Sequence, residues 1–293
     1  MTDKDSFLKN FKYELQGSAD MPKIVFLHGV MGSGANWRKI TPAFKNDYQV
    51  LTFDQRGHGW SFKPKEGYAP ADYANDLMKI LDELKWDKII LVGHSMGGRN
   101  ALHFANRYPE RVRALVVEDI GPQGNPKAMQ KTIDMVEMVP TPFASKKHAK
   151  DYFSGAFIEE LISTSGDVKG VSTGLVVAKM SYEQARVLGQ YFYTNIEVRT
   201  DGLADWRFSK NAILASLIKG HFEPNWEIVR TLNVPTLFVR GEWSEDFPKT
   251  EYEKLLTINP MVSGVEVAQS GHWIHYDQAE KFIQVLKEFL EKL

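Results

Sequence analysis

The sequence predicts an α/β fold, a mostly parallel sheet with helices on both faces and a helical block inserted before the last strands. Three observations lead there. Short apolar runs rich in β-branched residues recur through the first 120 positions, and stretches with apolar residues at helical spacing stand between them. The alternation stops near residue 123 and resumes near 235. A strand that is apolar on both sides belongs in a sheet covered on both faces, as parallel sheets are.

Taken in order, residues 8–16 read as an opening strand or hairpin, and 23–27 as a buried strand ending in His28-Gly29. A helix is expected over 34–45 and a strand over 49–53, followed by the glycine-rich loop Asp54-Gln55-Arg56-Gly57-His58-Gly59. Residues 70–84 place Tyr73, Leu77, Ile80, Leu81 and Leu84 at helical spacing behind a proline in the first turn. A strand over 88–93, a helix over 96–107 and a strand over 113–117 come next. Residues 123–228 are mainly helix-like and rich in Met, Phe, Tyr and Trp. Strands return at 235–241 and 262–267, and an amphipathic helix runs from about 277 to 292. The expected organisation is a core of 1–122 and 229–293 carrying a helical cap at 123–228.

Bulk properties narrow the function. The 293 residues suit one large α/β domain, or one with an insertion; 43% are hydrophobic and 25% charged, as in globular proteins. A net charge of −1 gives no footprint for nucleic acid or an anionic membrane surface. The absence of cysteine excludes disulfides, thiol nucleophiles and thiolate metal sites. No apolar stretch approaches the roughly 20 residues of a membrane span, and residues 1–6 lack the apolar core of a secretory signal, so a cytoplasmic protein is expected. Neither a His-Glu-x-x-His pair nor a phosphate loop occurs, and no metal or cofactor is expected.

The chemistry begins at Gly93-His94-Ser95-Met96-Gly97. An apolar strand before this pattern and an amphipathic helix after it are the context of a nucleophile elbow, a sharp turn that holds one serine hydroxyl clear of the backbone. A serine needs a base, and the base needs an orienting acid. His272, late in the chain within Ser270-Gly271-His272-Trp273, is the expected base, with His275 its nearest competitor. The acid is Asp119, at the end of the strand after the elbow helix, or Asp246 or Glu245 in the loop after strand 235–241. Asp119 is preferred, because its strand is expected to neighbour the elbow strand, so its carboxylate can reach the imidazole; proteins of similar sequence commonly carry the acid in the later loop, where Ser244 stands at the usual position. Glu118 alternates with Asp119 and should face the other way. Two backbone N–H groups should hold a developing oxyanion, those of Val30 and Met96.

Four segments together, His28-Gly29-Val30-Met31-Gly32-Ser33, Phe53-Asp54-Gln55-Arg56-Gly57-His58-Gly59, Gly93-His94-Ser95-Met96-Gly97-Gly98 and Ser270-Gly271-His272-Trp273, resemble the α/β-hydrolase superfamily. Within it, His28-Gly29-x-x-Gly32-Ser33, Asp119-Ile120-x-Pro122 and Trp206-Arg207 are similar to the YbfF-type esterases and their abhydrolase-domain relatives, in which the acid resembles Asp119. The resemblance implies an α/β-hydrolase fold and a serine hydrolase of small-molecule carboxylic esters, or thioesters, acting through an acyl-enzyme. The apolar cap is expected to offer an acyl pocket. Alternatives of the same fold are a C–C bond hydrolase, a lactonase, a cofactor-free perhydrolase, or a ligand receptor that keeps a hydrolase-like site. Ser95 argues against the aspartate-nucleophile dehalogenases and epoxide hydrolases.

Overall fold

The structure, a computed structural model, describes residues 6–164, 181–220 and 224–293. The opening residues 1–5 and His221 lie outside these. The chain falls into two compact units, Met1–Gln130 with Asn211–Leu293, and Lys131–Lys210.

The first unit is built on seven strands, β1 (Tyr13–Gln16), β2 (Lys23–Leu27), β3 (Gln49–Phe53), β4 (Ile89–His94), β5 (Val112–Glu118), β8 (Thr236–Gly241) and β9 (Val262–Val267). Their order across the sheet is β1-β3-β2-β4-β5-β8-β9. Every neighbouring pair is parallel except β1 with β3. Period-two alternation sorts the strand side chains onto two faces. Val25, Leu27, Leu91, Leu115 and Val117 face helices α1 (Pro70–Leu84) and α2 (Met96–Arg107), whereas Ile24, Phe26, Ile90, Val92 and Val116 face Trp37, Phe44 and the last helix, α11 (Ala279–Leu290). The expected doubly covered sheet is therefore present.

After β2 the chain moves outward to β3, then returns past β2 to β4. The strand order thus reverses between β2 and β4, the kind of switch point beyond whose C-terminal strand ends open α/β sheets bind ligands. Leu27 is paired with Gly93 across this point, so the His28-Gly29 turn and Ser95 emerge side by side.

Some expectations change. Residues 8–16, read as a strand or hairpin, hold a short 3₁₀ turn, Leu8–Asn10, and then the single edge strand β1 on β3. The helix expected over 34–45 is two short 3₁₀ pieces, Gly34–Lys39 and Thr41–Ala43. Pro42 brings no N–H to a continuous helix, and Asn36 Oδ1 is spent capping Ser33 N at 2.8 Å. The closing helix expected from about 277 to 292 is α11, and a short helix the reading did not include, α10 (Ile274–Asp277), precedes it.

The middle of the chain contains α3 (Pro126–Met138), α4 (Lys146–Ser154), α5 (Ala156–Thr164), α6 (Tyr182–Tyr193), α7 (Lys210–Gly220) and α8 (Trp226–Thr231), and α9 (Lys249–Leu255) follows β8. The helix-like reading missed a small antiparallel ribbon, β6 (Ile196–Val198) with β7 (Ala204–Trp206). Within the second unit Phe143, Phe153, Phe157 and Phe192 are buried. Phe153 and Phe157 approach to 5.1 Å, Phe157 and Phe192 to 5.1 Å, and Phe192 and Trp206 to 5.8 Å between ring centres. These rings form a core of the unit's own. Outside the unit, Asn225 N donates to Pro122 O at 2.7 Å, and Ala212 is buried with Tyr68 and Tyr73, so both ends of the 123–228 stretch pack within the sheet-containing unit. Among the described residues no helix is long and apolar enough to cross a membrane.

Candidate active site

β4 passes into α2 through Ser95, whose backbone adopts φ 53°, ψ −118°. A non-glycine residue there is strained and must be held by its surroundings. Ser95 N donates to Glu118 O on β5 at 2.9 Å, which supplies part of that hold. The flanking glycines let the turn close. A Cβ on Gly93 would lie 2.3 Å from the Gly97 carbonyl oxygen, and one on Gly97 would lie 2.4 Å from that of Leu27. Gly97→Ala should therefore push α2 off β2 and cost about 1–3 kcal/mol, as overpacking does. A lower urea midpoint at unchanged m-value would register it.

The hydroxyl so presented meets His272. Ser95 Oγ lies 2.9 Å from His272 Nε2, and His272 Nδ1 lies 2.8 Å from Asp119 Oδ2. Asp119 sits just past β5 at φ 51°, a left-handed conformation that aspartate tolerates. Gly241 N donates to its Oδ1 at 2.8 Å, and Ser244 Oγ donates to its Oδ2. The carboxylate is thus fixed by three donors. Asp246 is second in reach, with Oδ2 3.5 Å from His272 Nδ1. Glu245 is exposed. The preferred carboxylate and its first alternative both face the imidazole, and only Asp119 is at hydrogen-bond distance.

Electrostatics in the site favour a protonated imidazole. Burial is the largest influence on His272 and disfavours its charge. The charge of Asp246, the hydrogen bond and charge of Asp119, and the charge of Glu118 together outweigh burial and raise it from 6.5 to about 9. The neighbouring histidines go the other way. Burial holds His28 down at about 4; its Nδ1–H donates to Gly29 O at 2.8 Å while its Nε2 accepts from Gln55 N at 2.9 Å. Burial likewise depresses His58, to about 3, with Nδ1 on Arg56 O at 2.9 Å. Both rings brace backbone.

Met96 is the first residue of α2, so its N–H is among those a helix cannot bond internally. Val30 follows Gly29 in a turn closed by Gly32 N donating to Gly29 O at 3.0 Å, and a Cβ on Gly29 would lie 3.3 Å from Ser95 Cβ. The turn carrying Val30 thus runs directly beside the serine.

Three features escaped the sequence reading. Ser244, noted only as standing in an acid's usual place, donates to Asp119. His94 lies beside the candidate base; its ring centre is 4.7 Å from that of His272, and its Nε2–H donates to the His272 carbonyl oxygen at 2.7 Å. Glu118, fully buried, accepts from both the backbone N–H and the ring of His275. Its signal was a carboxylate closing the aliphatic run Ala114-Leu115-Val116-Val117. Among the described residues, His94, Glu118 and His275 bring metal-ligand-type atoms within 4.8 Å of one another, and Glu118 and His275 Nδ1 are already bonded to each other.

The family described as "alpha/beta hydrolase fold" matches residues 22–279. The sn-1-specific diacylglycerol lipase ABHD11 of Mus musculus is 29% identical over 94% of this chain and 83% of its own length. Its Xenopus laevis counterpart is 30% identical over 99% of this chain and 88% of its own. A solved structure titled "Marine microorganism esterase" superimposes with a TM-score of 0.78 at 26% identity, covering 95% of this chain and 98% of that one. With the parallel sheet and the strand–serine–helix turn, these matches make the chain a member of the alpha/beta hydrolase fold family, a family of hydrolases whose relatives here are named esterases and lipases.

Proposed function

We propose that the protein is a serine hydrolase of carboxylic esters, with acyl thioesters as a second substrate class. The observation that carries this reading is the continuous chain Ser95 Oγ to His272 Nε2, 2.9 Å, and His272 Nδ1 to Asp119 Oδ2, 2.8 Å. In the proposed reaction Ser95 Oγ attacks the carbonyl carbon and its proton passes to His272 Nε2. Asp119 holds the Nδ1–H tautomer and balances the imidazolium. The Val30 and Met96 N–H groups stabilise the oxyanion. The C–O bond to the alcohol then breaks, His272 returns the proton to the leaving oxygen, and an acyl-serine remains. Water, deprotonated by His272, attacks that ester, and the acid leaves as Ser95 regains its proton. No cofactor enters these steps.

Residues 123–228 are proposed as an inserted cap, because strand–helix alternation breaks between β5 and β8 and the segment builds an aromatic core of its own. The balanced charge and cysteine-free composition support a cytoplasmic setting. The purified protein should turn over p-nitrophenyl acetate and butyrate and be labelled by a fluorophosphonate probe. A panel of p-nitrophenyl esters and acyl thioesters of graded chain length would rank its substrates. Absence of both turnover and labelling would overturn the reading.

A further inference from the structure

Behind the Ser95–His272–Asp119 chain lies a second histidine–carboxylate couple. Glu118 is the last residue of β5, on the face that also carries Ala114 and Val116, and its exposure is 0%. Its Oε1 accepts from His275 N at 2.8 Å, and both carboxylate oxygens lie 2.9 Å from His275 Nδ1. The His275 ring is fixed in turn, 4.7 Å from Trp37 and 4.8 Å from His94 between centres. His94 donates from Nε2 to the His272 carbonyl oxygen at 2.7 Å. Every contact ends on the segment 272–275.

This is a costly way to fill a strand position. A buried carboxylate must be paired to be tolerated, and an aliphatic residue of similar size is commonly as stable or more so. What the couple supplies is placement. Asp119, one residue on, grips the His272 ring at Nδ1, but a single hydrogen bond to the side chain does not by itself fix the backbone that carries it. Glu118 grips that backbone three residues further along, and its own carbonyl accepts from Ser95 N at 2.9 Å. The dipeptide Glu118-Asp119 therefore ties the serine turn and the histidine loop to a single strand end.

Resting on the hydrolase reading above, we propose that Glu118, acting through His275, is a positioning residue that holds the loop bearing His272 so that Nε2 stays in line with Ser95 Oγ. Misplacement of a reacting group by about 1 Å costs on the order of 10²-fold in rate. Glu118→Gln and His275→Phe should thus each lower kcat roughly 10-fold or more, with KM within about twofold of wild type because no substrate contact is lost. Both act through one linkage, so the double variant should lose no more than the worse single variant. Four titratable groups face or adjoin the His272 ring, namely Asp119, Asp246, Glu118 and His94. Removing the Glu118 charge should also move the acid limb of kcat/KM to lower pH, which a merely structural role would not do.

Steady-state kinetics on p-nitrophenyl butyrate from pH 5 to 10, with melting curves for each variant, decide the matter. Singles that match wild type in kcat and acid limb, or losses that multiply in the double variant, overturn the positioning role. Should the phenylalanine variant fail to fold, the kcat and acid limb of Glu118→Gln decide alone. Wild-type protein inactive on all acyl substrates would instead overturn the hydrolase reading, so the two failures are distinguishable.

Discussion

Replacing Ser95 with alanine is expected to abolish ester turnover, lowering kcat by on the order of 10⁵- to 10⁶-fold while leaving the fold intact. The loss is large because the serine oxygen is the atom that forms the new bond. Without it His272 has nothing to deprotonate in the first half-reaction, and only backbone donors and substrate positioning remain, worth roughly 10³- to 10⁴-fold over water. The Ser95→Ala protein should melt like wild type, since the side chain makes one bond, to His272 Nε2. Two readouts check it, p-nitrophenyl butyrate hydrolysis and covalent labelling by a fluorophosphonate. Labelling that persists in the variant would move the nucleophile elsewhere.

Asp119→Asn is expected to rank second, with kcat reduced about 10⁴-fold, the scale seen when a triad acid becomes an amide and the histidine takes the wrong tautomer. The adjacent carboxylate makes this a contrast rather than a single measurement. Asp246 lies 3.5 Å from the same nitrogen and is the foremost influence raising His272 towards 9. Its charge therefore governs when the imidazole is neutral more than which way it points. A general base works only when unprotonated, so kcat/KM should rise as pH climbs through the His272 pKa. In wild type that limb is expected well alkaline of the ordinary 6.5, towards 9. Asp246→Asn should bring it down in pH and keep most of the plateau rate, whereas Asp119→Asn should collapse the plateau. The opposite ranking would transfer the orienting role to Asp246.

Much of this was open to reading from the chain. Buried parallel strands announce themselves because both faces are apolar, and 23–27 was delimited to the residue. The serine turn was legible because a Cβ on either flanking glycine would come within 2.3–2.4 Å of a backbone oxygen, so the pattern cannot drift. Less legible were elements whose form depends on competition between weak local preferences. Residues 34–45 have helical spacing, yet Pro42 and the Asn36 cap break the stretch into 3₁₀ turns. The ribbon at 196–206 consists of two three-residue strands, too short to show a period.

The same division runs through the candidate site. Sequence alone determined the fold class, the serine on its turn, the late histidine and a short set of carboxylates, because each is announced by neighbours along the chain. Tertiary structure decided what those neighbours cannot encode: that Asp119 stands 2.8 Å from the imidazole and Asp246 3.5 Å, and that Ser244 secures the first of them. It also decided that Glu118, directed to the other face by strand alternation, still reaches the histidine loop through His275. The physical reason is distance. Residues 118 and 275 are separated by 157 positions, and hydrogen bonds that form only after the sheet has closed leave no local trace in the amino-acid pattern.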